Sequence, residues 1–99
     1  MLKIVLIETA GETPTLRLEG RVIGPWVDEL RRSCEPVLAT AAKLAIDLSE
    51  VSFVDWDGVE LFRSLRERQV TLVNCSRFVA EQFKAQGVAA TVEGANHAA

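Results

Sequence analysis

The run Lys43-Leu44-Ala45-Ile46-Asp47-Leu48 limits the possible folds more than any other part of the chain. It is apolar almost throughout, the mark of a central strand covered on both faces. A chain with such a strand must supply neighbours for its edges and helices for its faces. The rest of the sequence does so in order. Leu2 to Glu8 alternates imperfectly as a first strand, and Thr15-Leu16-Arg17-Leu18-Glu19-Gly20 alternates cleanly as a second. Ala10-Gly11-Glu12 turns between them, so the two are expected to form a hairpin.

Gly24-Pro25 opens a helix, with Pro25 suited to its first turn. Its inward stripe reads Trp26, Val27, Leu30, Cys34 and Val37, and Pro36 is expected to kink or end it. Val51 to Val54 extends the central strand toward a turn, and a second helix is expected from Gly58 to Gln69. Asp57 is placed to cap that helix; Val59, Leu61, Phe62 and Leu65 are its inward stripe. Arg63 and Glu67, four apart outside, are spaced to pair. Val70 to Val73 is a further apolar strand. Ser76 can cap a last helix carrying Phe78, Val79, Gln82 and Phe83 on one side and stopping at Gly87. Val88 to Val92 reads as a small strand and residues 94–99 as a loose tail after a single domain, 1–93. The fold class is therefore α/β: a mixed four- to five-stranded sheet with about three helices packed on it. The central strand, the second helix and the strand after it make a right-handed crossover by the general rule.

Composition excludes several function classes. Eleven Lys and Arg against fourteen Asp and Glu leave a formal charge of −3, contrary to the basic face that nucleic acid selects. Arg63, Arg66, Arg68 and Arg77 are interleaved with Glu60, Glu67 and Glu81 and read as a solvated, salt-bridged face. The apolar run Ile4 to Ile7 is too short for a signal peptide or a membrane span, so direct membrane insertion is not expected and a cytoplasmic location is. Cys34, Cys75 and His97 lack metal-ligand spacing, and the cysteines read as small buried hydrophobes. No cofactor is implied, and Gly58 alone makes no phosphate loop.

The candidate site is the passage from strand to helix, Val54-Asp55-Trp56-Asp57-Gly58. Strand ends that face helix N-termini are where α/β domains place their sites. Two carboxylates flank a tryptophan there, with no hydroxyl, histidine or thiol between Asp55 and Gly58. That chemistry favours recognition over catalysis. Phe53 to Val59 also resembles the D-x-D-G motif of the haloacid-dehalogenase phosphatases, which implies a nucleophilic Asp55, an acid/base Asp57 and a magnesium ion. No aspartate follows Asp57, so the metal-holding acids that such chemistry needs are missing.

The order of elements resembles the STAS domain, shared by anti-sigma factor antagonists and the cytoplasmic tails of sulfate transporters. Leu16-Arg17-Leu18-Glu19-Gly20 is similar to its strand ending in glycine, and Leu44-Ala45-Ile46-Asp47-Leu48-Ser49 to its central strand. Val54-Asp55-Trp56-Asp57-Gly58 stands where the family has Asp-Ser-Ser/Thr-Gly, and Val70 to Ser76 is similar to the strand that follows. The resemblance spans residues 14–87. It implies a non-enzymatic interaction module of bacterial-type signalling, in which a partner docks on the loop and helix start. For the antagonists that partner is an anti-sigma factor of the histidine-kinase-like ATPase fold, which phosphorylates a loop hydroxyl. Phosphate adds about −1.5 to −2 charge and disrupts the contact.

Here Trp56 and Asp57 occupy the two middle positions, and neither offers the hydroxyl that such a kinase phosphorylates. The nearest hydroxyls, Ser52 and Ser64, lie outside the motif. Asp57 supplies a fixed charge, or the loop is an unregulated surface anchored by Trp56. The partner surface implied is Asp55, Trp56, Asp57 and Gly58 with Glu60, Arg63, Ser64 and Glu67 of the following helix. An alternative within the resemblance is a small regulatory subunit of an ABC-type lipid-transport ATPase complex. Nucleotide binding, a third role within the family, has little support in this sequence.

Overall fold

The computed structural model describes residues 1–87. Their elements run β1 (Leu2–Ile7), β2 (Thr15–Val22), α1 (Pro25–Thr40), β3 (Leu44–Val54), α2 (Trp56–Arg66), β4 (Val70–Val73) and α3 (Arg77–Ala85). The strands lie side by side in chain order. The expected hairpin is present: β1 pairs antiparallel with β2, from Leu2 opposite Gly20 to Ile7 opposite Thr15. The pairs β2–β3 and β3–β4 are parallel, so each needs a crossover, and α1 and α2 supply them. The expected strand over Val88 to Val92 and the tail lie outside the described residues.

The core is the side of the sheet that the helices cover. Leu16, Leu18, Leu44, Ile46, Leu48 and Leu72 are buried there against Val27, Leu30 and Cys34 of α1 and Leu61, Phe62 and Leu65 of α2. The Phe62 and Phe83 rings join α2 to α3 edge to face, with centroids 5.5 Å apart. The opposite face of β3 departs from expectation. Ala45 and Asp47 are only half buried, and Ser49 and Glu50 are exposed. Among the described residues, the sheet is covered by helices on one side. The apolar run misleads because Ala45 lengthens it without needing burial.

β3 also carries two extra residues relative to β2. Arg17 to Glu19 on β2 spans Asp47 to Glu50 on β3, and Gly20 to Arg21 spans Val51 to Phe53. Each bulge resets which side chains face inward. Past Leu48 the buried positions are therefore Val51 and Val54, three apart, and Phe53 is turned outward. Asp47 accepts the Ser49 amide at 2.9 Å beside the first bulge, a structural use of that carboxylate.

Three helix expectations need correction. Pro36 does not end α1, which continues to Thr40. Proline deletes one helical bond, but Cys34 and Val37 on either side remain buried on the sheet. α2 begins at Trp56 and not Gly58, because its cap is Asp55 and not Asp57. Phe78 is 60% exposed, and Val79 and Phe83 alone carry the buried stripe of α3. Ser76 does cap α3, accepting the Val79 amide at 3.2 Å.

Burial pushes both thiols up from 9.0 to about 11; at Cys34 the neighbouring Glu35 adds to the effect. The Arg68 guanidinium holds Glu35 below the usual carboxylate range through bonds of 2.7 and 3.1 Å, tying α1 to the end of α2. That pair is exposed and contributes little to stability.

Two outcomes follow from this core. Phe62→Ala should cost about 3–5 kcal/mol, read as a lowered urea midpoint with unchanged slope. Neither thiol should react with a disulfide reagent at pH 8 until the chain unfolds. Because folding raises both thiol pKa values, the stability they contribute is full below pH 9 and lost as pH rises toward 11.

Candidate functional site

β3 delivers Asp55 to the point where two helices begin. Its amide donates to the Val22 carbonyl at 3.1 Å, holding it beside the end of β2. Its Oδ1 accepts the Gly58 amide at 2.8 Å, the N-cap bond of α2. Its Oδ2 accepts the Gly24 amide at 2.9 Å, thirty-one residues away at the start of α1. α1 has no cap from its own side chains, and Gly24 there adopts φ 56°, a conformation open to glycine. One carboxylate thus serves amides at both helix starts, where the helix dipoles also favour negative charge.

Gly58 completes the junction from inside. It is buried, and a Cβ on it would sit 2.6 Å from Val54 Cγ1 and 2.9 Å from the Val22 carbonyl oxygen. Only a residue without a side chain lets α2 lie this close to the ends of β2 and β3. Asp55 and Gly58 are therefore framework.

The residues between them face out. Trp56 is 59% exposed in the first turn of α2, and Asp57 beside it is exposed. Asp57, Glu60, Ser64 and Glu67 follow one another at helical spacing along the outer face of α2. Arg63 pairs with Glu60 at 3.5 Å, and not with Glu67 as its spacing suggested. Its guanidinium also donates to the Gln86 carbonyl of the turn after α3, drawing it away from Glu67.

Three neighbours of the site carry no signal of that role in the sequence. Phe53 is 37% exposed and lines a groove with Trp56, Val59 and Ala85. Gln82 meets the last residue of β3 with both ends of its amide: Nε2 donates to the Val54 carbonyl at 3.0 Å and Oε1 accepts the Val54 amide at 3.3 Å. Phe78 lies one turn before Gln82 on α3. No sequence pattern reports the Gln82 contact, since it joins residues 28 apart.

This geometry offers poor support for phosphatase chemistry. Each oxygen of Asp55 already accepts a backbone amide, so the carboxylate is held as a cap between two helix starts. No group of side chains among the described residues could hold a metal ion. Nor is any described helix long and apolar enough to cross a membrane.

A mixed sheet in this order, with its crossover helices and a site at the start of α2, defines the STAS class of α/β domain. The family profile described as "Mlab, STAS domain" matches residues 5–93, and the chain belongs to that family. The fold is similar to the anti-sigma factor antagonist SpoIIAA in its unphosphorylated form. There the TM-score is 0.71 at 19% identity, over 94% of this chain and 90% of that one. It is also similar to the phosphorylated form of the Bacillus cell fate determinant SpoIIAA, with TM-score 0.68 and 20% identity over 87% and 85%. An uncharacterised Shewanella loihica protein with a SpoIIAA-like fold gives 0.57 and 10% over 91% and 82%. Among curated protein sequences there is no significant match.

Framework and surface residues should separate in a stability measurement. Asp55→Ala should lower stability by about 2–3 kcal/mol, through one lost cap and one lost long-range bond. Gly58→Ala should cost about 1–3 kcal/mol by overpacking, whereas Trp56→Ala should stay within about 0.5 kcal/mol. Thermal unfolding of the three variants checks the order.

Proposed function

We propose that this domain is a non-enzymatic docking module whose partner engages the first turns of α2. The surface is Asp55, Trp56, Asp57 and Gly58 with Glu60, Arg63, Ser64 and Glu67. Asp55 and Gly58 act by fixing the turn, and the others by contact. The observation that carries this reading is the exposed indole of Trp56 at the start of a helix whose position is so tightly set. Large exposed aromatics held on rigid elements are the usual anchors of protein interfaces. Family membership and fold likeness to an anti-sigma factor antagonist support protein interaction as the class of activity.

The partner on this reading is a histidine-kinase-like ATPase of the anti-sigma factor type, in bacterial-type cytoplasmic signalling that governs transcription. SpoIIAA has been solved with and without phosphate. The present chain carries Trp56 and Asp57 where the family pattern places hydroxyls, so its turn works without that switch. Asp57 is a standing negative charge that tempers binding where phosphate would abolish it. The absence of a switchable hydroxyl equally favours a second reading, a permanent regulatory subunit of an ABC-type lipid-transport ATPase complex. A permanent subunit has no need of one.

Affinity capture from native lysate with wild type, Trp56→Ala and Asp57→Ser as baits tests both readings. A kinase-like ATPase held by wild type, lost with Trp56→Ala and held more strongly by Asp57→Ser is the expected result. An ABC-type ATPase with the same dependence on Trp56 selects the second reading. Equal capture by all three baits would remove the turn from the function.

A further inference from the structure

We propose that the surface around Trp56 is shaped for a basic amphipathic segment of the partner, an apolar helix face flanked by Lys or Arg. This rests on the docking reading above and adds the chemistry of what docks. Trp56 lines one of two neighbouring hollows, and Asp57, the next residue, lines the other, which is more strongly charged. On the α3 side, Phe53, Trp56, Val59, Gln82 and Ala85 line the apolar groove. Asp55 is the single ionisable residue among those lining it, and its two oxygens are occupied by amides. Phe78, one turn before Gln82 on α3, is a further exposed ring. Three aromatic rings at 37, 59 and 60% exposure on one small domain make a surface that favours an apolar partner.

On the α1 side Asp28, Arg31, Asp57, Glu60 and Ser64 rim a second hollow that has Val27 and Leu61 in its lining. The one guanidinium there is bound to Asp28, and Glu60 has only its exposed contact with Arg63. Asp57 takes part in no ion pair among the described residues. This hollow therefore carries excess negative charge beside the groove. A helix laid over Trp56 would set its apolar stripe against Phe53 and Trp56 and one flank against Asp57 and Glu60. Cations on that flank would pair with the carboxylates; an acidic flank would be repelled by them.

The test uses the whole chain carrying Trp26→Phe, so that Trp56 is its only indole, and two synthetic helical peptides. Both share a leucine stripe; one is flanked by lysines and the other by glutamates. The lysine peptide should shift Trp56 emission saturably, at least about tenfold more tightly than the glutamate peptide, with salt narrowing the gap. Asp57→Lys combined with Glu60→Lys should reverse the preference, which mere unfolding cannot do. Phe53→Ser should weaken both peptides.

Equal binding of the two peptides, or a preference that survives the double charge reversal, would overturn the proposal. A buried-indole emission from Trp56 in the free chain would also overturn it, since the chain's own residues 88–99 or a second copy would then fill the groove. The two levels fail separately. If Trp56→Ala still loses the captured ATPase while the peptides are not distinguished, docking stands and the charge assignment falls. If Trp56→Ala captures as wild type does, the docking reading itself falls.

Discussion

The carboxylate of Asp55 is the interaction on which the arrangement of this domain turns. A parallel crossover leaves the start of each helix at the same end of the sheet, with unpaired amides pointing outward. The chain meets part of that demand at both helices with one side chain. Oδ1 receives the Gly58 amide and Oδ2 the Gly24 amide. The two helices that enclose the core therefore share a reference point at the tip of β3. Close packing at Gly58 adds a steric stop on the opposite side of the same turn. Trp56 inherits its position from both.

Within this short motif, framework positions and surface positions are separate. The outer positions of the turn can change chemically without disturbing the framework, because neither Trp56 nor Asp57 contributes to the core. The inner positions have no such freedom. A turn of this kind keeps its shape while the groups it presents outward, here Trp56 and Asp57, can vary.

Most of the scaffold is legible in the sequence because it depends on local periodicity. The alternation of Leu16 and Leu18, the stripe of Val59, Phe62 and Leu65, and the serine before α3 each report their own surroundings. What escapes depends on distant partners. Asp55 and Asp57 are two residues apart in a D-x-D-G pattern, and either can cap a helix; the choice falls to Asp55 because Val22 and Gly24 lie within its reach. The same holds for the site. Trp56 stands out in the sequence, but Phe53 reads only as part of an apolar strand, because nothing local marks the bulges that turn it out. Arg63 has two glutamates within helical reach, and a carbonyl beyond another helix draws it from Glu67.

The contact of Gln82 with Val54 bears on misassembly. β4 pairs with β3 only from Leu44 to Asp47, so among the described residues the later part of β3 has no strand on that side. Unpaired strand edges invite pairing with other chains, and aggregation follows. Here the last residue of that edge, Val54, has its donor and its acceptor both engaged by a side-chain amide that imitates a neighbouring strand. The two bulges further spoil the edge as a template. At Val54, therefore, the strand that leads into the Trp56 turn has both backbone groups engaged and presents neither to another chain.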